Sequence, residues 1–278
     1  MAGRLYVVGT PLGNLGDLSP RAVRVLGEVA LVAAEDTRAA LRLLAHAGVH
    51  AKVVSCFTGN EAARAAELGE RLRAGETIAY VSEAGMPGIS DPGERLVRAA
   101  IEAGAAVEVV PGPSAALVAL VGSGLPAERF TFLGFPPRDD GPRRELFGAL
   151  RRREETLLFY ESPNRAAATL ADLCAAYGPQ RRACLARELT KVHEEYVRGT
   201  LGELSARFSE EPPRGEVTLV VAGATPDEAA VEIDLEAAID ERLRAGESPK
   251  EIAAALALQT GKPRRQIYQL ALARGGRR

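Results

Sequence analysis

Thr77-Ile78-Ala79-Tyr80-Val81 runs directly into Ser82-Glu83-Ala84-Gly85-Met86-Pro87-Gly88-Ile89-Ser90-Asp91-Pro92-Gly93. The first five residues read as a strand, and a loop carrying three glycines and two prolines ends it. Such a loop presents rigid backbone N–H and C=O groups at the carboxyl end of a strand, which is where open α/β sheets bind ligands. Asp91, Pro92 and Glu94 also spell a helix start, as N-cap, first helical residue and capping-box acid of a helix running through Ala103. Further strand candidates are Leu5–Val8, Val29–Ala33, Val53–Ser55 and Val107–Val110, with amphipathic stretches such as Arg38–Ala47 and Glu61–Arg73 between them. The alternation predicts a mainly parallel, open α/β sheet in an N-terminal domain of residues 1–122.

Gly122-Ser123-Gly124-Leu125-Pro126 closes that pattern, and a second α/β domain is expected over residues 123–224. Its strand candidates are Arg129–Leu133, Thr156–Tyr160, Arg182–Ala186, Glu195–Arg198 and Val217–Val221. Helices are expected near Arg144–Arg152 and from Ser162-Pro163. The close spacing of the later strands predicts a more antiparallel sheet. Residues 225–278 read as a linker and a helical module. Ser248-Pro249-Lys250-Glu251 combines N-cap, first-turn proline and capping-box acid, so a helix starts there and is expected to stop near Gly261. Pro263 opens another that carries Arg264 and Arg265, at helix-turn-helix spacing.

Composition bounds the function. Of 278 residues, 46% are apolar and 26% charged, which excludes a disordered, collagenous or fibrous chain. No apolar run approaches the roughly 20 residues of a membrane span, and the start at Arg4-Leu5-Tyr6 lacks a signal-peptide layout, so no membrane partner and a cytoplasmic location are expected. A net charge of −2 gives no overall attraction to nucleic acid, but residues 240–278 hold nine Lys/Arg against four Asp/Glu, and residues 138–153 six Arg against three acids. Cys56, Cys174 and Cys184 stand too far apart for a disulfide framework or a thiolate zinc site, and His46, His50 and His193 form no ligand spacing, so no metal is expected. A Walker lysine, a G-x-S-x-G elbow and an H-E-x-x-H motif are all missing, and Gly9-Thr10-Pro11-Leu12-Gly13-Asn14-Leu15-Gly16 lacks the dinucleotide spacing. After the fifth strand, Pro111-Gly112-Pro113-Ser114-Ala115 places Ser114 as cap of a short helix whose free N–H groups face the crevice of the Ser82–Gly93 loop.

Six segments in order carry a resemblance: Thr10–Leu15, Ala34-Glu35-Asp36-Thr37-Arg38, the Ser82–Gly93 loop, Pro111-Gly112-Pro113, Tyr160-Glu161-Ser162-Pro163 and Ala186-Arg187-Glu188-Leu189-Thr190-Lys191. Together they resemble the 16S ribosomal RNA (cytidine-2′-O)-methyltransferase I family, within the tetrapyrrole-methylase superfamily, over the whole chain. The resemblance implies S-adenosyl-L-methionine as methyl donor, 16S rRNA or the small ribosomal subunit as partner, and a homodimer. It also implies a donor folded between two domains, with Pro11, the Ser82–Asp91 loop (Ser82, Glu83, Gly85, Pro87, Ile89, Ser90, Asp91) and Pro111, Pro113, Ser114 and Ala115 at its amino-acid and ribose ends. Backbone near Phe159, Tyr160, Glu188, Leu189, Thr190, Val217 and Thr218 would close over the adenine. Two departures stand out. Where the family usually reads S-D-A-G-T-P, this chain has Glu83 and Met86, which removes any interaction of the threonine hydroxyl. Where the family tends to carry a lysine, it has Arg138, which can hold a phosphate but cannot serve as a base.

For the acceptor, Glu35-Asp36-Thr37-Arg38 ends the second strand, where two carboxylates and an arginine have no periodic reason to meet. Helix capping accounts for Asp36 or Thr37. The functional reading has Arg38 hold an RNA phosphate while Glu35 or Asp36 orients or deprotonates the 2′-hydroxyl, with Lys191 the rival base if burial lowers its pKa. Glu161 is either structural or part of the site. Arg138, Arg143 and Arg144, with Arg264 and Arg265, are expected to meet RNA. The alternatives are a tetrapyrrole C-methyltransferase, against which the basic C-terminal module counts, and a ligand-sensing regulator whose residues 248–274 read DNA.

Overall fold

A computed structural model of the chain describes residues 3–226, 235–260 and 263–275, without the side chains of 258–260. Five parallel strands, β1 (Arg4–Val8), β2 (Leu31–Ala34), β3 (Val53–Ser55), β4 (Thr77–Val81) and β5 (Ala106–Val110), form the first sheet in the order β3-β2-β4-β1-β5. Alternation along the strands divides the core between the two faces. Leu5, Leu31, Ile78 and Tyr80 meet Leu68 and Leu72 of α3 (Glu61–Arg73) and Leu96 of α4 (Glu94–Glu102). Val8, Val32, Ala79 and Val81 meet Leu26 of α1 (Pro20–Glu28) and Leu43 and Leu44 of α2 (Thr37–His46). Burial on both faces explains why β2 and β4 are almost uninterrupted apolar runs.

The second sheet runs β6-β7-β10-β8-β9, from β6 (Phe130–Phe132), β7 (Thr156–Glu161), β8 (Arg182–Arg187), β9 (Glu195–Thr200) and β10 (Val217–Val221). Its β6–β7 pair is parallel and the rest antiparallel, as the spacing predicts. The helices α6 (Asp140–Leu150), α7 (Pro163–Tyr177) and α8 (Leu201–Glu210) cover one face through Phe147, Leu170, Leu173, Leu204 and Phe208. The other face receives α5 (Ala115–Ser123), whose Ala116, Ala119 and Leu120 pack on Leu158, Cys184, Ala186 and Val220. That helix ends on Gly122 and Ser123 and already packs on the second sheet, so the chain crosses between sheets ahead of Ala115 and ties the two halves together. At the C-terminus, α9 (Leu235–Arg244), α10 (Pro249–Thr260) and α11 (Arg264–Gly275) share a small core of Leu235, Ile239, Ile252, Leu256 and Ile267. The Ser248–Glu251 capping box forms as the sequence predicts. Arg264 and Arg265 sit exposed at the start of α11. Most of the expected linker, and the stop at Gly261, lie outside the described residues.

One helix start differs. The helix α4 begins at Glu94, behind Gly93 at φ 136°, and its cap comes from another element. The Glu61 carboxylate on α3 accepts hydrogen bonds from Gly93 N–H (2.8 Å) and Arg95 N–H (3.1 Å). A distant carboxylate satisfies the end donors, so Asp91 is not the N-cap and its side chain is released toward the loops.

Candidate active site

The loops that follow β1, β4 and β5 are stitched together by backbone. Thr10 and Gly85 exchange both hydrogen bonds (2.9 and 3.0 Å), with Gly85 at φ 75°, where an L side chain would be strained. Gly9 and Gly112 touch so closely that a Cβ on Gly112 would lie 2.7 Å from the carbonyl carbon of Gly9. The sulfur of Met86 accepts a hydrogen bond from Gly112 N–H at 3.2 Å. The thioether therefore joins the β4 and β5 loops, an interaction not foreseen when the missing threonine hydroxyl is counted only as a deficit. Ser114 stands at the N-cap of α5 but makes no side-chain cap bond, and the Tyr160 hydroxyl of the second sheet accepts from Ala116 N–H (3.2 Å) instead. One donor at that end of α5 is thus satisfied across the cleft.

Between these loops and the second sheet lies a cavity of about 570 Å³. Of the residues read from the sequence, Glu83, Gly85, Ile89, Ser90, Asp91, Ser114 and Ala115 line it from the first half, and Tyr160, Lys191, Val217 and Thr218 from the second, with Glu35 at the end of β2. A neighbouring cavity of about 480 Å³ is lined by Pro111, Pro113 and Thr190 together with Asp17. Pro11, Ser82, Pro87 and Leu189 are buried behind these walls. Phe159 points into the core of the second sheet, so only its backbone is available to the cleft. Glu188 turns to Lys191 and Glu216. Ser90, Glu188 and Thr190 are the non-glycine residues with positive φ (65°, 51° and 65°) among those described, and all three stand in cleft loops, as strain held for a site does.

The charged candidates separate sharply. Asp36 caps α2: one carboxylate oxygen accepts from Arg38 N–H (2.7 Å) and Ala39 N–H (3.2 Å), which holds its pKa below the usual range. A carboxylate so engaged is a poor base, and its place in the base pair with Glu35 is corrected to that of a cap. Lys191 bonds both Glu188 (2.9 Å) and Glu216 (2.8 Å). Burial works to lower its pKa, but the two carboxylates outweigh it and raise the pKa, so the condition for a lysine base is not met. Arg143 is buried, with 4% of its side chain exposed, and bridges Asp172 and Asp140, so it cannot meet RNA. Arg144 shares Asp172 but keeps an exposed side chain, and Arg138 and Arg38 are exposed. Glu161 is structural: it is buried and accepts from Thr169 Oγ1 (2.6 Å) and Ser162 N–H (2.8 Å), although it backs the cavity.

Glu35 and Asp91 behave differently. Burial raises the pKa of Glu35, against a hydrogen bond from Glu83 N–H (3.2 Å). Burial and the charge of Glu35 push Asp91 up to about 6. Reading Asp91 as a helix cap hid this. Arg42 and Phe135 also line the cavity unforeseen. Arg42 lies one helical turn beyond Arg38, which was the available signal. Phe135, 57% exposed, meets Tyr160 edge to face with centroids 5.6 Å apart. Among the described residues no cluster of three or more His, Cys, Asp or Glu is placed to hold a metal ion.

The walls suit a nucleoside donor with an amino-acid tail. The hydroxyl of Thr190 is buried without a hydrogen-bond partner beside the Pro111–Pro113 loop, which leaves it available to a bound ligand. Apolar Ile89, Ala115 and Val217 share the lining of the cavity with polar Ser90 and Ser114.

Comparison with known proteins places this geometry. Residues 4–205 match the tetrapyrrole (corrin/porphyrin) methylases. The chain is 45% identical to ribosomal RNA small subunit methyltransferase I of Synechocystis sp., over 97% of this chain and 98% of that protein. To the protein of the same name in Pseudomonas aeruginosa it is 44% identical, over 99% of each. The crystal structure of uroporphyrin-III C-methyltransferase from Thermus thermophilus, complexed with S-adenosyl homocysteine, is 21% identical with a TM-score of 0.57, covering 79% of this chain and 97% of that one. At that identity the likeness shows the fold alone.

Proposed function

The chain belongs to the tetrapyrrole (corrin/porphyrin) methylase family and, within it, to the ribosomal RNA small subunit methyltransferase I proteins, and from that premise we propose that it methylates a cytidine ribose 2′-oxygen in 16S rRNA. The observation that carries the reading is the cavity between the two sheets, where the β4 and β5 loops stand opposite Tyr160, Val217 and Thr218 with carboxylates at one side. S-adenosyl-L-methionine, held by those loops with the Thr190 hydroxyl as one partner, supplies an electrophilic methyl on a good leaving group. What remains for the protein is alignment and removal of a proton from a weakly acidic hydroxyl.

Phe135 on the cavity wall offers an exposed ring for a nucleobase turned out of its strand, Arg42 on the same wall offers a cation for phosphate, and Arg38 and Arg138 are exposed cations on α2 and in the loop that carries Phe135. Arg165 holds the Phe135 segment in place through the carbonyls of Pro136 (3.0 Å) and Pro137 (2.8 Å). Arg144, Arg264 and Arg265 extend the basic surface. Relatives that match nearly the full length carry the ribosomal RNA name, whereas the uroporphyrin enzyme covers 79% of the chain; this favours RNA over a macrocycle as acceptor. The domain limit at residue 224, the cytoplasmic location and the homodimer belong to the same reading, whereas the limit expected at 122 moves ahead of α5, which packs on the second sheet.

The test is transfer of labelled methyl from S-adenosyl-L-methionine to small-subunit particles, and to their extracted RNA, from cells lacking this protein. Nuclease digestion should place the label on 2′-O-methylcytidine. Label on no RNA, with donor binding intact, would replace the reading with the tetrapyrrole one.

A further inference from the structure

The first half reaches the cavity through two sets of elements. The β4 and β5 loops, Asp91 included, are taken up by the donor. The end of β2 and the start of α2 are not, and they bring Glu35, Ala39 and Arg42 to the same cavity. Glu35 stands at the junction of the two sets, half-buried. Its backbone N–H donates to the carbonyl of Val81, the last residue of β4 (3.1 Å), and its Oε2 accepts from Glu83 N–H at the start of the donor loop (3.2 Å). Its Oε1 takes no hydrogen bond among the described residues. The other candidates near it are engaged: Asp36 by the α2 backbone, Lys191 by Glu188 and Glu216, and Glu161 by Thr169 and Ser162.

We propose, resting on the 2′-O-methyltransferase reading, that Glu35 is the catalytic base that takes the proton from the acceptor 2′-hydroxyl. The new bond joins the 2′-oxygen to the methyl carbon. The sulfonium–carbon bond breaks with its electron pair left on sulfur, and the hydroxyl proton goes to Oε1 of Glu35. The balance needs no further reactant.

Placement carries the assignment. The attacking oxygen must approach the methyl group on the side away from sulfur, so its base has to stand beside the donor loop without belonging to it. Glu35 meets that condition, and with its backbone and one carboxylate oxygen both tied to the β4 end, little reorganisation is left for the moment of reaction. Its surroundings act in the same direction. Burial raises its pKa against the Glu83 N–H, and the charges of Glu83 and of Asp36 raise it further. Asp91 from the β4 loop and Tyr80 from β4 also face it. Arg42 is the exposed cation that α2 brings to the cavity, while Lys191 has its charge taken by its own two carboxylates. A carboxylate held above its ordinary range accepts a proton more readily than a free glutamate does.

The experiment is single-turnover methylation of small-subunit particles by the full chain, from pH 5 to 9, with affinities for donor and particle measured separately. Wild type should rise to a plateau along a limb that belongs to Glu35 and Asp91 together, since their charges are coupled. Glu35→Gln keeps an amide oxygen for the Glu83 N–H, so both affinities should persist while the plateau rate falls by roughly 10²–10⁴-fold, and Glu35→Asp should recover part of the loss. With the base gone the proton must leave to hydroxide, so the residual rate of Glu35→Gln should go on climbing with pH up to 9 where wild type is flat. A merely structural role would not produce that change of shape. A rate unaltered in Glu35→Gln, a lowered rate that still levels off as in wild type, or a loss explained by weaker donor binding alone overturns the assignment while leaving the reaction in place. If wild type methylates no ribose oxygen, the reaction itself is wrong and the assignment goes with it.

Discussion

Asp91 carries a cost in stability that its removal should reveal. In the fold, burial and the charge of Glu35 push its pKa up to about 6, against about 3.9 for an unfolded aspartate. A raised pKa favours the folded state where the group is protonated, so that contribution is complete below about pH 4 and is lost as pH rises through about 6. Asp91→Asn keeps the neutral form at every pH. Its Tm should exceed that of wild type at pH 7.5 and the two should converge by pH 4; equal Tm values at both would mean that Asp91 is not strained by its surroundings. Arg143 is the opposite case, a charge that the fold requires. Burial opposes ionisation of Asp172, yet the guanidiniums of Arg144 and Arg143 hold its pKa below the usual range. Arg143→Ala leaves that carboxylate buried with the exposed Arg144 as its remaining ion-pair partner, and should cost about 3–5 kcal/mol in urea unfolding. Arg138→Ala, on exposed surface, should stay within about 0.5 kcal/mol.

Among the elements, the join between α3 and the β4 loop is open to a direct test because one side chain closes it. Glu61→Ala strips the start of α4 of its acceptor for Gly93 and Arg95 and should destabilise by about 1–3 kcal/mol. Since the same backbone leads out of the donor loop, affinity for S-adenosyl-L-methionine should fall as well, by calorimetric titration; full affinity would separate the cap from the site. This join also shows where the sequence stops being readable. The strands were legible because each is a short β-branched run bounded by glycine, proline or polar residues, and the α10 start because its cap and capping-box acid lie three residues apart. The α4 start was not legible, because Asp91-Pro92 has the local form of a cap while the true acceptor is thirty-two residues upstream of Gly93. Arg143 and Arg144 look alike in sequence, and only the approach of Asp172 on α7 distinguishes the buried one from the exposed one. Loop motifs announced the cavity, but the residues that complete it from the second half, Phe135 and Glu216 among them, have no local mark.

Across the whole molecule, the near-zero net charge hides a division of labour among its cations. Part of the basic excess at the C-terminus is internal: Arg274 is tied to Asp240 and Glu236 and joins α11 to α9. Arg264 and Arg265 are exposed at the start of the same helix, whose buried Ile267 and Ala271 pack within the three-helix module and not on the cavity. Their removal should therefore act on RNA and leave the donor alone. In Arg264→Gln/Arg265→Gln, the salt dependence of particle binding should weaken by about 0.7–0.9 in the slope of log K against log salt for each phosphate no longer neutralised, and affinity should drop most at low salt. Donor affinity should match wild type, because none of the described residues of the module lines the cavity. A slope unchanged in the double variant would make these arginines plain solvated surface and leave Arg38, Arg42, Arg138 and Arg144 as the cations that meet the RNA.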